Sequence, residues 1–139
     1  MMEFLLYLTP IGREIVQNVI RAGYPVRENI EFCRDGKRFG YGDFDKMVIC
    51  TNNIKKSGLD VRKYVNETVY HESVHMAHMC NGYKPFNISV KDMPLPWHKR
   101  NDIERSLAMS TASRQIEHEA YWMEDKPEKV KYVVQKYCL

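Results

Sequence analysis

The sequence predicts an α+β fold in one domain spanning residues 1–139, with a small β-sheet packed on several helices. Three observations lead to that class. Apolar residues recur at helical spacing near the N-terminus, in the middle of the chain and toward its end. Between the first two helical stretches lie short β-branched runs separated by glycine and aspartate, which suit strands joined by a tight connection. At 139 residues, 44% hydrophobic and 28% charged, the chain has the size and composition of a globular body with its own core.

The elements follow in order. Thr9-Pro10 pairs a capping hydroxyl with a proline at the first helical position. Ile11, Ile15, Val16, Val19 and Ile20 then mark an apolar stripe, and Gly23 with Pro25 ends it. Residues 26–58 carry the strand-like runs ENIEFC and KMVICT, with RDGKRFGYGDFD between them as a hairpin or winding loop. A second helix runs from Asp60, an N-cap, to the Asn81-Gly82 stop, with Val61, Val65, Val69 and Met76 on its apolar side. Residues 83–100, with Pro85, Pro94 and Pro96, read as an irregular excursion that walls a cleft or packs as a structural loop. A long helix is expected from near Asp102 to about Asp125, with Met109, Ala112, Ile116, Ala120 and Met123 on one face. Lys126-Pro127 breaks it, and a last helix turns Val130, Val133, Val134 and Tyr137 inward.

Composition also excludes some functions. The net charge of +3 comes from basic residues interleaved with acids, which describes solvated faces and argues against a nucleic-acid groove. No run approaches membrane-spanning length. FLLYL at residues 4–8 is too short for a signal-peptide core and meets Pro10 at once, so the expected location is cytoplasmic. Cys33, Cys50, Cys80 and Cys138 form no C-x-x-C pair, and in that compartment reduced, buried thiols are expected. The N-x-S/T patterns at Asn66 and Asn87 then carry no meaning.

The chemistry concentrates in TVYHESVHMAHMCNG, residues 68–82. His71, Glu72 and His75 spell H-E-x-x-H on a helix. Residues four apart stand one above the other, so both imidazoles reach one ion, while Glu72, offset by one position, is placed to act as a base. His78 is two turns from His71, about 10.5 Å along the axis, too far for all three rings to converge. The metzincin pattern also fails, because it needs glycine where His78 stands and histidine where Asn81 stands. A third ligand must come from SRQIEHEAYWMED, where Glu117, His118 and Glu119 are the donors. His118 points away from the expected core face, and periodicity does not separate Glu117 from Glu119.

VICTNNI followed by a capped helix ending VYHESVHMAHMC resembles the mitochondrial ATP-synthase-processing metalloprotease and assembly-factor family. The likeness covers roughly residues 39–121. It includes a cysteine five residues after the second histidine (Cys80), the strand and turn at Cys50, Asn52 and Asn53, and the approach GYGDFDKMVIC. Departures are His78, where the family usually has aspartate, and a smaller cysteine set. The family's later helix has a ligand glutamate followed three residues on by alanine. The resemblance therefore implies Glu117 as third ligand, ahead of Ala120, with Glu119 in reserve.

What it implies as a whole is a minimal zincin-like fold and a gluzincin-type zinc metallopeptidase. His71, His75 and Glu117 would hold Zn2+, and Glu72 would serve as general base on a peptide or protein substrate. The oxyanion donor is open among His78, His98, Arg114 and Tyr121. The rival readings are a non-catalytic zinc-binding assembly factor or interaction module, and a zinc-free domain whose histidines only pack.

Overall fold

In the computed structural model, which describes residues 2–109 and 113–139, a helix rather than the sheet holds the centre. The described helices are α1 (Pro10–Arg21), α2 (Thr51–Lys56), α3 (Val61–Cys80), α4 (Trp97–Met109), α5 (Arg114–Met123) and α6 (Pro127–Cys138). The strands are β1 (Val26–Glu28), β2 (Gly40–Gly42) and β3 (Met47–Ile49), in the order β1-β3-β2. β1 runs parallel to β3 with Val26 opposite Met47, and β2 runs antiparallel to it with Gly40 opposite Ile49. The α+β class is as the sequence predicts.

α3 is packed by α1, α5 and α6 and by β2 and β3. Its caps are those expected: the Asp60 carboxylate accepts from Lys63 N at 3.1 Å, and Tyr83 N donates to the His78 carbonyl at 2.8 Å past a left-handed Gly82. The sequence shows only one apolar stripe on α3, yet polar residues are buried too, among them Glu72, Ser73, His75 and His78. A helix enclosed on all sides must find partners for such groups. Val65, Val69, Val74 and Met76 join Phe4, Ile15, Val19, Met47, Ile49 and Val134 in the main apolar core.

Several expectations are corrected. The long helix from Asp102 to Asp125 is two helices. α4 begins earlier, at Trp97, and α5 starts afresh where Ser113 Oγ accepts from Ile116 N at 3.2 Å. Ala112 lies outside the described residues. ENIEFC is strand only at Glu28, and Glu31–Asp35 is a 3-10 turn. A strand does form inside the stretch read as a hairpin or loop, because Asp43 Oδ1 accepts from Asp45 N and Lys46 N and folds β2 back on β3. Ile20 is half exposed, off the buried face of α1. Asn66, in one N-x-T pattern, is buried with its amide bonded to Tyr7 O, Arg62 O and Thr9 N.

β2 is pressed against α3. A Cβ at Gly40 would meet the Val48 carbonyl oxygen at 2.6 Å and Thr68 Cγ2 at 2.8 Å, and one at Gly42 would meet Met76 Sδ at 2.7 Å. Only glycine permits that approach, and it brings the strand's backbone beside Glu72.

The cysteines are not reduced thiols. Cys33 is bonded to Cys50, and Cys80 to Cys138. The second bridge ties the end of α3 to the end of α6. Among the described residues, no helix is long and apolar enough to cross a membrane.

The bridges close loops with sequence separations of 17 and 58. Loop-closure entropy alone assigns them about 3 and about 4 kcal/mol. We expect Cys80→Ser/Cys138→Ser to lower unfolding free energy more than Cys33→Ser/Cys50→Ser, as read by denaturant unfolding. Intact-mass measurement of the wild type without reductant should lack all four thiol protons.

Candidate metal centre

α3 and α5 run antiparallel, so their side chains meet in reverse order. Glu117 of α5 faces His75 of α3, Tyr121 and Glu124 face His71, and Glu119 faces His78. These contacts divide between two sides of α3, one lining a cleft and one sealed in the interior.

On the cleft side, donor atoms of His71, Glu72 and His75 all lie within 4.8 Å of one another, the two histidines brought together by their four-residue spacing. Glu72 approaches the two rings more closely than its one-position offset suggests. Glu117 Oε1 lies 3.6 Å from His75 Nε2. The four line a cleft of about 480 Å³, walled by Phe39, the β2 backbone, Met79, Tyr83 and Tyr121.

The electrostatics follow from burying so many ionisable groups together. Burial carries the Glu72 carboxyl up to about 7; His71 pulls it down, and the charges of Glu117 and Glu124 push it further up. Burial also raises Glu117, with His71 opposing. His71 would be lowered by burial, but the bond to Glu124 and the charges of Glu72, Glu124 and Glu117 outweigh that and lift it to about 9. His75 falls well below its ordinary value through burial and the neighbouring His71 and His78, so its ring is neutral. Neutral His75 has a free lone pair, whereas His71 must release a proton before it could join His75 and Glu117 in a donor set of the kind zinc takes.

On the sealed side, His78 Nε2 lies 2.9 Å from Glu119 Oε1, and neither side chain is exposed. Glu119 also accepts from Phe86 N, Ile88 N and Gln115 Nε2. Burial pushes the Glu119 carboxyl up, but the His78 bond and then those from Gln115, Phe86 and Ile88 hold it below the ordinary range, while burial keeps His78 neutral against the pull of Glu119. The pair anchors the chain leaving α3, with Phe86 stacked on the His78 ring. His78 Nδ1 is left without a partner among the described residues.

The remaining sequence candidates separate in the same way. His118 bonds Met93 O through Nε2, away from the cleft. Arg114 is exposed and pairs with Glu104, and His98 is exposed. Of the four oxyanion candidates, Tyr121 lines the cleft, its ring 4.5 Å from that of His71 and its hydroxyl 2.9 Å from Ser106 Oγ. Burial raises its pKa; the Ser106 bond opposes that, and the charges of Glu117 and Glu124 add to the rise, so the phenol keeps its proton.

Sequence reasoning missed Glu124, whose Oε1 lies 2.8 Å from His71 Nδ1, and Lys99, whose ammonium lies 3.4 Å from Glu124 Oε2. Glu124 carries a readable signal: it falls seven residues after Glu117, two helical turns along the same face. Lys99 carries none, because its place depends on how the proline-rich stretch returns.

Glu119→Ala should cost about 3–5 kcal/mol in urea unfolding, since it strands a buried histidine and two backbone amides. Glu117→Ala should leave stability nearly unchanged, because among the described residues its carboxylate makes no hydrogen bond. Equal costs for the two would contradict this division of roles.

The family model described as "Domain of unknown function (DUF8637)" matches residues 4–139, and the chain belongs to that family. No curated protein and no solved structure matches it.

Proposed function

We propose that this DUF8637 member is a zinc-dependent metallopeptidase with a minimal zincin-like fold, acting on a peptide or protein substrate. One observation carries the reading: the H-E-x-x-H donors converge within 4.8 Å at the floor of an open cleft, with a second-helix carboxylate 3.6 Å from His75. The residues that would hold the ion are His71, His75 and Glu117. The His75–Glu117 separation is close to the roughly 3.3 Å between neighbouring ligands around a tetrahedral ion with bonds of about 2.0–2.1 Å.

Zinc, when bound, supplies the Lewis acidity that makes water a nucleophile near neutral pH and polarises the scissile carbonyl. Glu72 is the general base. It takes a proton from the attacking water and returns it to the leaving amine, and its burial favours carrying that proton between the two transfers. Tyr121 keeps its proton and stands over the His71 ring, so we assign it to hydrogen-bond the developing oxyanion. The glycine strand β2 packs beside Glu72 and forms one wall of the cleft.

The resemblance to the mitochondrial processing-protease family supports the same ligand set, but not the same biology. The two disulfides fit an oxidising site of action better than the cytoplasm expected from the sequence.

Metal analysis should find about one zinc per wild-type chain, lost on chelation and in His75→Ala and Glu117→Ala. Glu72→Gln should keep the zinc and lower peptide hydrolysis by at least about 100-fold. Zinc without hydrolysis in the wild type would instead indicate a binding or assembly role. A chain that takes up no zinc when it is supplied would overturn the proposal.

A further inference from the structure

We propose that Glu124 and Lys99 are positioning residues for the metal site. They hold His71 with Nδ1 as a hydrogen-bond donor and leave Nε2 as the nitrogen for the ion. This inference rests on the zinc reading above.

Glu124 uses both oxygens. Oε1 lies 2.8 Å from His71 Nδ1, and Oε2 lies 3.4 Å from Lys99 Nζ. Lys99 also donates to the Tyr121 carbonyl at 3.0 Å and to Asp125 Oδ2 at 3.2 Å. Both Glu124 and Lys99 are buried, at 6% and 7% exposure. At 2.8 Å, Glu124 Oε1 engages Nδ1 in a hydrogen bond, and we place the shared proton on the ring. A nitrogen carrying a proton has no lone pair for a metal, which leaves Nε2.

The ring's freedom to turn is removed as well. Glu124 holds one edge, and Tyr121 packs against the ring at 69°. Lys99 is the lysine that faces Glu124, a buried carboxylate set near Glu72 and Glu117. The ammonium supplies a positive charge and three bonds of its own, and so fixes where Glu124 points. The same lysine sits in the first turn of α4, directly after the proline-rich stretch. The docking of that segment and the orientation of a metal-binding ring are therefore joined through one carboxylate.

Zinc affinity, measured by chelator competition, should fall about 10–100-fold in Glu124→Gln and in Lys99→Met. Lys99→Arg should recover most of the loss. Asp125→Asn, which disturbs the same ammonium without touching His71, should bind as the wild type does. In zinc-loaded wild type labelled with ¹⁵N-histidine, NMR should show the metal on Nε2 of His71 and a proton on Nδ1, a readout that needs no variant to fold. Metal on Nδ1, or unchanged affinity in both charge-removing variants, would overturn this inference and leave the zinc reading standing. A wild type that binds no zinc would overturn both.

Discussion

The structure depends on enclosing a polar helix. α3 passes through the middle of the molecule carrying three histidines and two glutamates, and a buried polar group without a partner costs on the order of 1–3 kcal/mol. The surrounding elements can be understood as answers to that cost. α5 lies antiparallel on α3 because its carboxylates then fall opposite the imidazoles. The segment after α3 turns back because Phe86 and Ile88 offer their amides to Glu119. α4 starts where it does with Lys99 reaching Glu124.

The histidine–carboxylate contacts are of two kinds, and the difference is one of access. His78–Glu119 is sealed and saturated with donors, so it holds the fold together. His75–Glu117 faces open space and is under-bonded, which is poor for stability and good for holding something else. A protein gains nothing in stability from leaving buried carboxylates short of partners, and such frustration tends to collect where function needs it.

The bounds of α3 and its H-E-x-x-H spacing are legible because every signal for them is local: an N-cap, a stop and a fixed spacing. Glu117 and Glu119 were legible only as a pair. They sit two residues apart on flanks of one helix, and which flank meets the cleft is decided by the packing of α5 on α3. β2 was hidden because Gly-Tyr-Gly has little strand propensity, and its reason for existing is a close approach to another element. The break at residue 113 did have a local sign, a serine capping three residues ahead, masked by an apolar repeat that runs on across the gap. The disulfide pairing depends wholly on tertiary proximity, and assuming a reducing compartment led the thiol expectation astray.

The bridge between Cys80 and Cys138 has one more consequence. Between those two cysteines lie α4, α5 and the proline-rich stretch that leads to the exposed Trp97. Residues 80–138 are thus closed into a covalent ring whose ends meet at the end of α3. A single cut anywhere in the ring opens it without releasing a fragment, and both cut ends stay attached to the helix that carries the histidines. A nick in this ring therefore leaves α5, with Glu117 and Tyr121, covalently tied to α3.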